Sequence, residues 1–208
     1  MVQGSTVTAV EPLAKTRYKV WLDGEYAFVL YRGEMRSFGV EKGAVLPYET
    51  VERIWREAVC LRAKRRAMHL LEDMDRTEEG LREKLRQGHY PERAVDCAVE
   101  YVKSFGYVDD LRYAENFIRS RQGRKSRLEI KALLLDKGIS SELIETAFDS
   151  CREEGSEREA IRNILEKKKV IPSELDDRGR QKIYAYLGRK GFRYEDIRQV
   201  IQMSDYNA

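Results

Sequence analysis

The sequence is poor in the residues that most chemistry needs. Its 208 residues include only two histidines, His69 and His89, and three scattered cysteines, Cys60, Cys97 and Cys151. A histidine-based metal site would lack ligands, and no C-x-x-C or C-x-x-H pairing is present, so three free thiols and no metal are expected. No stretch approaches the roughly 20 apolar residues of a membrane span. The opening MVQGSTVTAVEP lacks the charged flank and hydrophobic run of a signal peptide, so the chain is expected to be cytoplasmic, with no membrane partner. Also missing are a G-x-x-x-x-G-K-[ST] loop, a G-x-G-x-x-G after a strand, and any serine or cysteine beside a histidine in a catalytic motif. The expectation is a protein with no catalytic residues and no cofactor.

What is abundant is charge. Charged residues make up 36% of the chain and apolar ones 42%, with a net charge of only +3, against a globular norm of about 25% charged. The chain is rich in surface yet apolar enough to fold, which favours slender helical architecture.

Residues 6–46 read as strands. TVTAVE alternates, RYKVWL and YAFVLY are rich in β-branched and aromatic residues, and Asp23-Gly24 between the last two is a two-residue hairpin signal. A hairpin plus one strand is expected over 1–50. It should lean on the helix signalled by VLPYETVERIWREA, because an isolated hairpin is marginal.

Beyond residue 60 one pattern recurs three times. LREKLRQGHYPERAVDCAVEYV, IKALLLDKGISSELIETAFDSC and IYAYLGRKGFRYEDIRQVIQMS align on Tyr90, Ile139 and Phe192. Five residues before each anchor stand Leu85, Leu134 and Leu187, and nine before stand Leu81, Ile130 and Ile183. Five, eight and nine after it come Val95, Ile144 and Ile197; Ala98, Ala147 and Val200; and Val99, Phe148 and Ile201. Residues four apart share a helix face, so each copy encodes two amphipathic helices around a turn. Gly138 and Gly191 supply the left-handed residue that ends the first helix, and His89 takes that place in the first copy. The expected fold is mainly α: tandem three-helix repeats in an elongated, curved array. The segments are 1–50, 51–104, 105–152 and 153–208.

The stretch GYVDDLRYA fits this scheme as a joint. Gly106 ends one helix, Asp109 caps the next with Val108 and Tyr113 as an apolar staple, and Asp110 favours the positive end of the helix dipole. Adjacent carboxylates are poorly placed for paired acid and base work across a substrate. Three basic clusters, at 62–66, 119–127 and 178–194, stand apart from acidic runs such as LEDMDRTEEG and CREEGSEREA. Segregated charge is the footprint of a nucleic-acid or acidic-protein partner. The expected contacts are Arg119, Arg121, Arg124, Lys125, Arg127, Arg180, Arg189 and Lys190. Arg127 and Arg180 occupy the same repeat position. Tyr113, Tyr184 and Tyr186 are spaced as packing residues.

The segments GYVDDLRYAENFIRSR, KALLLDKGIS and RQKIYAYLGRKGFRYEDIRQVI, in that order and spacing, resemble the RecX family, and EEGLREKLRQGHY is similar to its first-repeat element. Gly106, Tyr107, Asp109, Asp110, Tyr113, Ala114, Gly138 and Gly191 fit the family signature. The resemblance implies a non-enzymatic regulator that binds the RecA recombinase filament on single-stranded DNA in its groove. It implies inhibition of strand exchange, ATPase and coprotease activity, and hence a place in DNA repair, homologous recombination and the SOS response. Some family members also contact DNA directly, and a monomer is expected. The alternatives are a nucleic-acid-binding repeat protein acting independently of RecA, and a helical scaffold.

Overall fold

The computed structural model describes residues 4–151 and 156–205. Residues 1–3 of the opening segment and 152–155 of the acidic run CREEGSEREA lie outside the described residues. The chain packs as two compact units, Met1–Asp109 and Asp110–Ala208.

The first unit begins with β1 (Gly4–Ala14), β2 (Arg17–Leu22) and β3 (Glu25–Tyr31). Asp23 and Gly24 both take positive φ, 52° and 91°, which is the backbone of the tight turn that matches strand twist. Val7, Val20, Phe28 and Leu30 are buried from one face of the sheet, and Phe28 meets the Trp55 ring edge-on at 5.5 Å. The sheet has four strands where three were expected, in the order β3-β2-β1-β4. A short helix, α1 (Arg32–Phe38), follows β3, and β4 (Val45–Pro47) pairs antiparallel with the start of β1. Three residues are too few for alternation to register in a sequence.

From Tyr48 the chain is helical as far as Asp73. α2 (Tyr48–Ile54) passes through a π-helical segment, Trp55–Cys60, into α3 (Leu61–Asp73). With α4 (Glu78–Gln87) and α5 (Glu92–Ser104), α3 forms the first repeat. Sheet and repeat share one core that runs from Val7 to Val108, and this is how a small sheet reaches independent stability.

The second unit holds α6 (Asp110–Arg121), α7 (Arg127–Asp136) and α8 (Ser141–Ser150), then α9 (Ser156–Lys167), α10 (Asp177–Arg189) and α11 (Tyr194–Asp205). Each triplet has its own core, the first around Ile130, Leu134 and Ile144, the second around Leu187, Phe192 and Ile197.

The repeat template is realised in side-chain burial. Leu85, Leu134, Leu187, Val95 and Ile144 are fully buried, as are Ala98 and Ala147. Ile139 and Phe192 are buried and Tyr90 is half-buried against the first core. Each turn closes the same way. The anchor N–H donates to the carbonyl of the leucine five residues back, at 3.2 Å in all three copies: Tyr90 to Leu85, Ile139 to Leu134 and Phe192 to Leu187. The residue before each anchor is left-handed, with φ of 64° at His89, 81° at Gly138 and 92° at Gly191. This is the helix-ending motif that satisfies an orphan carbonyl. His89 adopts it without being glycine, and its carbonyl accepts the Tyr26 hydroxyl at 2.6 Å, which ties the turn to the hairpin.

Asp109 immediately precedes α6 and Asp110 stands in its first turn. Val108 is buried in the first unit's core, whereas Tyr113 packs against the second unit's and stacks on Phe117. Tyr184 and Tyr186 pack against the third repeat's core.

A left-handed residue with a Cβ costs about 1–2 kcal/mol relative to glycine. His89→Gly should therefore raise the unfolding free energy by about 1 kcal/mol, and Gly138→Ala should lower it by at least as much. Urea unfolding of the two variants checks both signs.

Candidate functional site

Reactive side chains are few. The Cys60 thiol lies against Cys97, and burial, then its hydrogen bond with Cys97, pushes it up to about 11, so it carries little thiolate at neutral pH. Among the described residues no three metal-ligating side chains cluster, and no helix is long and apolar enough to cross a membrane.

A set of side-chain contacts between residues distant in sequence lies where the second repeat meets the third. Ser126 caps α7: its hydroxyl accepts the Glu129 N–H at 3.1 Å and donates to the Lys190 carbonyl at 2.6 Å. The Glu129 carboxylate reaches back to the Ser126 N–H and also pairs with Lys190 Nζ at 2.8 Å. Glu157 accepts the Arg127 N–H at 2.6 Å, and the Asn163 side-chain amide donates to the Gly123 carbonyl at 2.6 Å. One fully buried serine thus joins the start of α7 to the end of α10. It brings the turn at 122–126 beside residues 189–191.

Five of the eight expected contact residues, Arg124, Lys125, Arg127, Arg189 and Lys190, lie in or beside the segments that this joint brings together, and Arg119 and Arg121 lie at the end of the helix that leads into it. Arg119 and Arg121 occupy the last turn of α6, where cations complement the helix dipole. Arg119 is exposed and shares Glu115 at 3.3 Å, while the Arg121 guanidinium lies 4.6 Å from the centre of the Phe117 ring. Arg124 and Lys125 follow in the turn at Gly123, with Arg124 exposed and Lys125 half-buried. Arg127 pairs with Glu145 and covers the Phe148 ring at 4.3 Å. Arg189 is exposed at the end of α10, and Lys190 follows it.

Arg180 stands apart from these. It lies near the start of α10, nine residues before Arg189, or about 14 Å along the helix. Its Nε donates to the Leu175 carbonyl at 3.3 Å. The repeat position that it shares with Arg127 is therefore not a shared environment, because α10 begins a turn earlier, at the Asp176 cap. Of the motif residues, Gly106 ends α5 with φ 69°, and Tyr107 is exposed and stacks on Phe105 at 5.7 Å.

In the first unit, two of the four cations at 62–66 are used structurally. Arg62 donates to both Glu34 oxygens at 2.6 and 2.7 Å and to the Val29 carbonyl at 2.6 Å, and Lys64 sits over the Tyr101 ring. The roles of Ser126 and Glu129 were not anticipated, although S-x-x-E at 126–129 carries the capping-box signal. Lys190 lies 61 residues from its partner Glu129, beyond any local pattern.

Burial opposes ionisation of Glu129, but the Lys190 ammonium and the Ser126 N–H outweigh it and hold the carboxyl below its ordinary range. Burial pushes Glu157 the other way, upward.

A tandem of three-helix repeats behind a small sheet is a known class of protein. Models of the first, second and third RecX three-helix domains match residues 63–101, 109–147 and 156–201. The chain belongs to the RecX family. Regulatory protein RecX of Caldanaerobacter subterraneus subsp. tengcongensis is 33% identical over 91% of this chain and 94% of that one. Regulatory protein RecX of Clostridium acetobutylicum is 28% identical over 97% of each. Crystal structures of a regulatory protein RecX and of RecX from Lactobacillus salivarius share the fold, with TM-scores of 0.62 and 0.59 at 23% and 22% identity. They cover 94% and 71% of this chain, and 98% and 97% of their own.

Two variants test the joint. Ser126→Ala removes a cap and the hydroxyl whose hydrogen the Lys190 carbonyl accepts, and should cost about 1–3 kcal/mol in urea unfolding. Glu129 titrates lower folded than unfolded, so its contribution is present above the ordinary value of 4.5 and is lost as pH falls through the folded value. Glu129→Gln should lower stability at pH 7 and flatten the stability–pH curve below pH 4.5, read from urea midpoints between pH 3 and 7.

Proposed function

We propose that this protein is a non-enzymatic cytoplasmic regulator that binds the RecA recombinase filament on single-stranded DNA and inhibits its ATPase, strand-exchange and coprotease activities. Membership of the RecX family, together with the cation-rich joint of α6, α7 and α10, carries this reading. The contacts are Arg119, Arg121, Arg124, Lys125, Arg127, Arg189 and Lys190, with Arg180 as an outlying member. They face acidic recombinase surface or DNA phosphate.

A filament offers identical subunits at regular spacing, so repeats joined in one chain engage it several times. After the first contact the others become intramolecular, and modest individual affinities combine through effective concentration. ATP turnover needs the subunits to change state, and a ligand that prefers one state opposes that change in proportion to its differential affinity. Exposed cations such as Arg124 and Arg189 mainly accelerate encounter, and this contribution weakens with salt.

The test is RecA ATPase on single-stranded DNA, titrated with the protein. Inhibition well below one molecule per recombinase subunit is expected, and unchanged ATPase at equimolar protein would overturn the proposal. Arg121→Glu with Lys125→Glu should weaken inhibition about tenfold or more at low salt while leaving helicity intact. Unchanged inhibition by that variant at moderate salt would remove the 119–127 segment from the interface.

A further inference from the structure

Helix α7 is apolar on two opposite faces. Ile130 and Leu134 are buried in the second core. On the other side Leu128 is 57% exposed and Leu135 46%, with exposed Ala132 between them. Positions i, i+4 and i+7 form one stripe, about 10 Å long. A surface helix normally turns charged or polar residues outward there. Single exposed leucines are common, but here two are aligned along one helix face.

The surroundings of the stripe indicate its partner. Leu128 packs on Gly191 so closely that a Cβ there would lie 2.5 Å from the leucine side chain. Leu128 thus sits between the turn that bears Arg124 and Lys125 and the turn that follows Arg189 and Lys190. No acid occurs between Glu115 and Glu129 or between Arg178 and Tyr194. Much of this positive charge is already engaged: Arg127 by Glu145, Lys190 by Glu129 and Arg119 by Glu115. A phosphate backbone would need that charge available and would gain nothing from leucine. An apolar centre with a charged rim is the anatomy of a protein–protein interface.

We infer that Leu128, Ala132 and Leu135 are the centre of a protein-docking surface whose rim is Arg124, Lys125 and Arg189. The partner presents an apolar groove bordered by carboxylates. This rests on the filament-binding reading above and names the recombinase protein, rather than its DNA, as what this face touches.

The experiment uses the full chain, labelled for fluorescence anisotropy, against single-stranded DNA alone and against RecA filament on the same DNA with a non-hydrolysable ATP analogue. Leu128→Gln with Leu135→Gln should weaken filament binding about tenfold or more. Affinity for bare DNA should stay within about twofold. Leu133→Gln, at a 37% exposed site on a different face of α7, should bind as the parent does. Helicity and thermal midpoint confirm folding, and Leu135→Gln alone carries the test if the double variant is perturbed. Undiminished filament binding by the leucine variants overturns the inference and leaves the functional reading standing. Equal losses on filament and bare DNA make the face a nucleic-acid surface and overturn it too. A parent protein that ignores the filament overturns the functional reading itself, and the inference with it.

Discussion

Each repeat depends on one backbone hydrogen bond and the side chain that it positions. When the N–H of Tyr90, Ile139 or Phe192 reaches the leucine carbonyl five residues back, the first helix of the pair stops and the chain reverses. The anchor side chain then points at the core that both helices share. The bond requires a left-handed residue just before the anchor, which restricts that place to glycine or to a residue held by other contacts. His89 is so held, by the Tyr26 hydroxyl on its carbonyl. The same hydrogen bond that stabilises its unusual backbone joins the sheet to the first repeat.

This constraint explains why so much of the fold was legible in the sequence. A turn flanked by apolar residues at fixed offsets leaves a repeated trace, and three copies can be superposed on Tyr90, Ile139 and Phe192. The hairpin was legible for a similar reason, because Asp23-Gly24 suits few backbones. Features without periodicity left no such trace. β4 is three residues long, α1 buries no side chain fully, and the division into two units falls just after Val108, the last residue of the first core. Val108 is buried in the first unit's core and Tyr113 packs against the second unit's.

The candidate site was legible as composition and not as geometry. Runs free of acid at 119–127 and 178–194 marked positive charge, and the joint at Ser126 brings the end of the first run beside the later part of the second. What the runs conceal is how the charge is used. Arg127, Lys190 and Arg62 each find a carboxylate outside their own local helix turn, at Glu145, Glu129 and Glu34. These pairs tie α7 to α8, the second repeat to the third, and α3 to α1, and only part of the cationic surface is left for a partner. The exposed leucines of α7 carried no sequence signal of their own, because KALLLDKG offers four adjacent apolar positions and the fold buries only one of them, Leu134, fully.

Under the proposed function, the α6–α7–α10 edge of the second unit is the face presented to the recombinase filament. Amide hydrogen exchange of the full chain, with and without RecA filament on single-stranded DNA, tests it most directly. New protection concentrated in residues 119–135 and 187–193 is the predicted result. Protection confined to residues 4–109, with that edge exchanging as in the free protein, would contradict it.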